Sequence, residues 1–97
     1  MGFGEEESGR KVAEYNLRIG RSAERELENL EPRLGRRILA AVETLASEPR
    51  PRQSRKLVGS ADSFRLRIGQ YRVLYQVDDT ARLITVIAVG HRRDIYR

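Results

Sequence analysis

From Tyr15 to Ile19 apolar and polar residues alternate, the period of a half-buried strand, and Gly20 ends the run. Beyond it the spacing changes. Ala23, Leu27 and Leu30 recur at three- and four-residue intervals, which predicts a short helix with one apolar face, and Ser22 is placed to cap its first turn. Glu31-Pro32 interrupts the pattern, and Pro32 suits the first position of a second helix because the N–H it lacks would have no partner there. Leu34, Ile38, Ala41, Val42 and Leu45 supply the buried stripe of that second helix. Gly35 interrupts its propensity at about 1 kcal/mol relative to alanine, so packing must cover that cost or the first helix must approach closely there. Ser47-Glu48-Pro49 ends it, since the residue before a proline is pushed out of the helical region.

The following stretch, PRPRQSRKLVG, carries Arg50, Arg52, Arg55 and Lys56, two prolines and no acid, and reads as an exposed basic loop. Period-two patterning then returns in three runs, at 63–68, 71–77 and 82–89. Gly69-Gln70 joins the first two as a type II′ hairpin turn, and Asp78-Asp79-Thr80-Ala81 makes the second turn. The last run, RLITVIAV, is apolar on both faces apart from one threonine, which predicts the most central strand, covered on both sides. The order is β-α-α-β-β-β, an α+β fold in which an antiparallel sheet packs against an N-terminal helical hairpin. Residues 12–97 form a single domain in this reading, and the glycine-rich acidic residues 1–11 form a flexible arm outside it.

Composition narrows the function. A chain of 97 residues holds one small domain, and two Phe with no Trp imply a thin core. With no cysteine and a single histidine, His91, a disulfide framework is excluded and neither a metal site nor a cofactor is expected. No apolar run reaches the ~20 residues of a membrane span and MGFGEEESGRK has no signal-peptide pattern, so a cytoplasmic protein is expected. The net charge of +5 is unevenly distributed: residues 1–31 hold eight acids and five bases, residues 32–97 fourteen bases and six acids. Such a one-sided field suits a polyanion or an acidic protein partner.

The hairpin shows where that charge is aimed. A two-residue loop at Gly69-Gln70 sets Ile68 opposite Tyr71, Arg67 opposite Arg72 and Arg65 opposite Leu74. Phe64, Leu66, Ile68, Tyr71, Val73, Tyr75 and Val77 then share the core face, leaving Arg65, Arg67 and Arg72 together on the other. Like charges placed opposite one another in a sheet are destabilising, and the neighbouring sequence offers little to offset them. An absent anion explains the cluster better than a merely solvated face does. An antiparallel last strand brings the tail GHRRDIYR to the same edge, adding Arg92, Arg93, His91 and Tyr96. By pattern alone His91 reads as a polar strand cap and Tyr96 as a packing residue at the chain end.

The ordered set KLVG, FRLRIGQYRVLYQVD and VIAVGHRRDIY, behind two helices, resembles the RelE/ParE superfamily of bacterial and archaeal toxins from about Tyr15 to Tyr96. The resemblance implies the compact RelE fold and a ribosome-dependent endoribonuclease that cuts messenger RNA in the decoding site. It also implies a cognate antitoxin as partner, in a toxin–antitoxin hetero-oligomer, besides the ribosome and its message. Arg65 and Arg67 match the family's basic pair, lysines in its best-known members. Arg72 matches the arginine of the YR element, Arg92 the arginine after the last strand, and Tyr96 the C-terminal tyrosine. On this basis Arg67, Arg72, Arg92 and Tyr96 are the expected catalytic residues, the arginines stabilising phosphate charge and Tyr96 serving as base or stacking group. Arg65, Lys56, Arg55, Arg52, Arg93 and His91 are expected to bind RNA, with His91 a second candidate base. Arg50, Arg36 and Arg37 are expected to hold ribosomal phosphates. Two other readings stand beside this one: a ParE-like inhibitor of DNA gyrase that does not cut RNA, and a plain RNA-binding module.

Overall fold

The computed structural model describes residues 14–95. In chain order its elements are β1 (Asn16–Ile19), α1 (Arg21–Glu28), α2 (Pro32–Thr44), β2 (Ser54–Lys56), β3 (Ser63–Ile68), β4 (Tyr71–Asp78) and β5 (Leu83–His91). The strands form one sheet in the order β1-β5-β4-β3-β2. Every neighbouring pair is antiparallel except β1 and β5, which are parallel. A parallel pair needs a crossover, and the helical hairpin is part of it, laid over one face of the sheet.

That face is the core. Ala23 of α1 and Ile38, Val42 and Leu45 in and after α2 are fully buried, and they meet the inward residues Phe64, Leu66, Ile68, Val73, Tyr75, Val77, Ile84, Val86 and Val89. The inward residues of β3 and β4 are the alternate ones that a two-residue turn demands, and the register pairs Ile68 with Tyr71, Arg67 with Arg72 and Arg65 with Leu74. Gly69 makes that turn possible by taking φ +59°. Gly35 is a point of close approach: a Cβ there would stand 3.4 Å from the Leu27 carbonyl oxygen of α1. Pro32 opens α2 as expected, with the Glu31 carboxylate accepting from the Leu34 amide at 3.0 Å as its cap.

Three features differ from the sequence reading. The basic loop contains β2, whose Ser54, Arg55 and Lys56 pair with Leu66, Arg65 and Phe64, so the sheet has five strands. Three residues with little apolar character give no periodic signal, and it is the neighbouring edge of β3 that makes them a strand. Ser22 is not a cap. The Gly20 amide still donates to Val86 O at 2.8 Å as if in β1, so α1 begins immediately after Gly20, which is its N-cap. Finally, β4 and not β5 is the central strand, and Ile87 of β5 is 41% exposed on the side away from the helices. The apolar run belongs to a strand flanked by β1 and β4 that carries a bulge: Leu74 pairs with Ala88 and Tyr75 with Val86, leaving Ile87 as the extra residue.

Candidate nucleic-acid interface

On the sheet face opposite the helices the register assembles a groove. Arg67 and Arg72 stand side by side across β3 and β4, and Arg55 of β2 stands beside Arg65 on the other edge of β3. The loop before β2 contributes Arg52 and Gln53, tied to β3 by a bond from the Arg67 amide to Gln53 O at 3.2 Å. Arg92 arrives from the end of β5, where its amide donates to Gln70 O in the β3–β4 turn at 2.8 Å. Together these seven residues, six of them arginine, line a cavity of about 320 Å³. No carboxylate among the described residues lines it.

Two of the guanidiniums are held by backbone carbonyls. Arg72 Nη1 donates to Gly69 O at 3.0 Å and to Tyr71 O at 2.9 Å, which orients its plane and leaves Nε and Nη2 for another acceptor. Arg55 Nη1 donates likewise to Arg52 O and Ser54 O, both at 2.9 Å. A planar fork fixed in this way is prepared to grip a phosphate through two parallel bonds. Like charges set side by side on neighbouring strands, as Arg67 and Arg72 are, repel one another.

The other expected site residues are not all brought here. The β5 bulge shifts the phase so that Gly90 faces Arg72 and His91 faces Tyr71 on the helical side of the sheet. His91 meets the Tyr71 ring edge-on at 5.4 Å between centroids and accepts the Arg93 amide on Nδ1 at 3.1 Å. Arg93 is exposed outside the groove, and Lys56 stands in register with Phe64, on the other face from Arg55. Tyr96 lies outside the described residues, as does the arm expected at 1–11. Arg37 adjoins the groove, lining with Gln53 and Arg67 a neighbouring cavity of about 500 Å³, whereas Arg36 lines a cleft between the two helices. Gln53 was missed by the sequence reading. Its place follows from β2 pairing, for which the sequence carries no signal.

A family model for the ParE toxin of type II toxin–antitoxin systems (parDE) matches residues 17–96. The chain belongs to the RelE/ParE superfamily of type II toxins. Toxin RelG from Mycobacterium tuberculosis is 38% identical over 89 residues, which cover 86% of this chain and 97% of that protein. Among solved structures, the RelBE2 toxin–antitoxin complex of Mycobacterium tuberculosis matches with a TM-score of 0.72 at 32% identity, covering 81% of this chain and 99% of the matched one. The RelE–RelB complex of Pyrococcus horikoshii OT3 matches with a TM-score of 0.73 at 30% identity, covering 82% and 97%.

The toxin has a second arginine cluster, beyond the far end of β4. Arg50 Nη2 pairs with Asp79 Oδ2 at 2.8 Å, and its guanidinium lies over the Phe64 ring at 5.3 Å. Tyr15 also donates its hydroxyl to Asp79, and the Arg82 guanidinium lies over the Tyr15 ring at 5.7 Å. Hydrogen bonds from Arg50 and then Tyr15 hold the Asp79 carboxyl below its ordinary pKa, while the bond to Asp79 raises that of Tyr15. Arg50 is therefore engaged within the fold and stands apart from the groove. In the core between, burial raises the Tyr75 phenol, whose hydroxyl donates to Pro49 O at 2.7 Å.

Proposed function

We propose that this type II toxin is an endoribonuclease that cleaves messenger RNA on the ribosome by attack of the RNA's own 2′-hydroxyl. The observation that carries the reading is the convergence of six arginines on one groove. In this chemistry the 2′-oxygen bonds to the adjacent phosphorus, the 5′-oxygen leaves, and a 2′,3′-cyclic phosphate and a 5′-hydroxyl result. The nucleophile's proton goes to a base and the departing oxygen takes one from an acid. Arg67, Arg72 and Arg92 would bind the phosphate and stabilise the charge that grows on it, the role worth about 10²–10³ in rate per preorganised donor. Arg52, Arg55 and Arg65 would hold neighbouring phosphates of the strand, and Arg37 would extend that surface round the hairpin tip.

Arginine, with a pKa above ~12, is a poor base. His91 stands on the helical face beside Tyr71, which favours Tyr96 as the proton-transfer or base-stacking group. A cognate antitoxin is the expected regulator. Several similar structures are complexes of toxin with antitoxin, and an acidic antitoxin segment laid on the arginine face would close the groove. No helix among the described residues is long and apolar enough to cross a membrane, and the proposed site of action is the cytoplasm.

Gyrase inhibition is the second reading, favoured by the ParE family model that spans most of the chain. Purified toxin added to programmed ribosomes, with a parallel gyrase supercoiling assay, separates the two. The nuclease reading expects ribosome-dependent cuts that fall sharply with Arg72→Ala and with Tyr96→Phe. Intact message with inhibited supercoiling would overturn it.

A further inference from the structure

The last strand reaches the groove through a device that the proposed chemistry does not itself explain. Beyond Ile19, β1 no longer covers the outer edge of β5. On the inner edge Gly90 stands opposite Arg72, and the Arg92 amide donates to Gln70 O. Amides alternate in direction along a strand, so the Val89 N–H points to the uncovered edge. A buried N–H without a partner is unfavourable, and Val89 is 2% exposed. The partner comes from α1: Glu26 Oε1 accepts the Val89 amide at 2.7 Å. Glu26 thus fastens the strand two residues after the bulge residue Ile87.

The position of that fastening matters because the bulge decides which tail residues face the arginines. A slip of one residue exchanges the two faces of a strand. With the bulge, Gly90 takes the place opposite Arg72 and Arg92 continues into the groove, while His91 is sent to Tyr71 on the helical side. Without it, Gly90 and His91 would exchange faces. Ile95 reinforces the observed register, since a Cβ on Gly90 would stand only 3.2 Å from Ile95 Cδ1. We infer that Glu26 is a positioning residue that locks the register of β5 through the Val89 amide and thereby selects Arg92, and not His91, as the tail side chain of the groove.

The functional part of this inference rests on the groove being the anion site proposed above, whereas the register lock stands on its own contacts. Two measurements keep them separate. The first is NMR of wild type, Glu26→Ala and Glu26→Gln. Glu26→Ala is expected to speed Val89 amide exchange by tenfold or more and to remove the Tyr71–His91 ring contact, while Glu26→Gln, which keeps an acceptor oxygen, preserves both. A Glu26→Ala protein with a protected Val89 amide and an intact Tyr71–His91 contact would overturn the lock. So would a Glu26→Gln protein that loses them. The second is binding of a short single-stranded RNA oligonucleotide by wild type, Glu26→Ala, Arg92→Ala and the double variant. If Glu26 acts through Arg92, each single variant weakens binding by about tenfold, the loss of one charge-assisted phosphate contact, and the double variant is no worse than Arg92→Ala. Losses that multiply would overturn the selection of Arg92. Unchanged binding in Arg92→Ala would overturn both that selection and the groove's use of Arg92, with the lock still judged by NMR.

Discussion

Arginines gather at both ends of the hairpin sheet, roughly 20 Å apart along β4, and the two gatherings are built in opposite ways. Beyond the far end Arg50 has a carboxylate at 2.8 Å and an aromatic ring beneath it, and Arg82 lies over Tyr15. At the near end six arginines share a groove in which the described residues supply no carboxylate, and the fixed guanidiniums are anchored on backbone carbonyls. Charge alone therefore does not mark a site. An arginine cluster that brings its own acid and ring is held within the fold, whereas the carbonyls that hold Arg55 and Arg72 orient a charge without cancelling it.

The comparison breaks most visibly if groove arginines turn out to be structural. Arg67→Ala is expected to lower the rate of message cleavage by about 10²–10³. It is also expected to leave thermal stability unchanged or slightly higher, because it removes a like-charged cross-strand neighbour of Arg72 whose repulsion is of order 0.2–1 kcal/mol. A rate that hardly changes, with a clear fall in melting temperature, would put the near end in the same class as the far one. A milder test adds an acid to the groove. Gln53→Glu sets a carboxylate among the arginines, and oligonucleotide affinity should fall about tenfold at low salt, with a shallower salt dependence. Unchanged affinity would mean that RNA does not enter at Gln53.

The near end was also the more legible of the two. A two-residue loop fixes the β3–β4 register by counting, so the companionship of Arg67 and Arg72 and the arrival of Arg92 follow from sequence. The far cluster joins Tyr15, Arg50, Asp79 and Arg82 across three connections, and no spacing rule predicts which turn acid meets which loop arginine. The same limit hid β2 and with it Gln53, since a three-residue polar strand exists only because β3 offers an edge. His91 was expected to bind RNA because the tail arrives at the groove's edge, and it falls on the helical face for a different reason. Faces are read by counting in twos, and the extra residue Ile87 adds one to the count without any mark in an apolar run. Ser22 looked like a cap because the pattern does not show that Gly20 still bonds to β5.

Between the two ends, Tyr75 ties the loop that carries Arg52 and Gln53 to the core through its bond to Pro49 O. Tyr75→Phe removes the donor and leaves that carbonyl short of a partner, at a cost of about 1–3 kcal/mol in denaturant unfolding. Cleavage should suffer less than in Arg67→Ala, because Arg67, Arg72 and Arg92 lie on other elements. Equal loss of activity would mean that the loop, and not the hairpin, organises the groove.

The smallest expected effect tests the far end on its own terms. The Asp79 carboxyl has its pKa lowered, chiefly by the hydrogen bond from Arg50 and then by that from Tyr15. A carboxylate whose folded value lies below its unfolded one adds stability above the unfolded value, about 3.9 for aspartate. That contribution is lost as pH falls through the folded value. Asp79→Asn should therefore melt slightly below wild type at pH 7, and the gap should close as the pH is taken below about 4. At pH 7 added salt should narrow it too, because the pair is exposed and screened. Oligonucleotide affinity should stay as in wild type, since Asp79 is remote from the groove. A gap that persists at low pH would mean that ring packing over Phe64 and Tyr15, not charge, holds the far arginines. Their difference from the groove would then lie in the aromatic rings beneath them and not in an acid of their own.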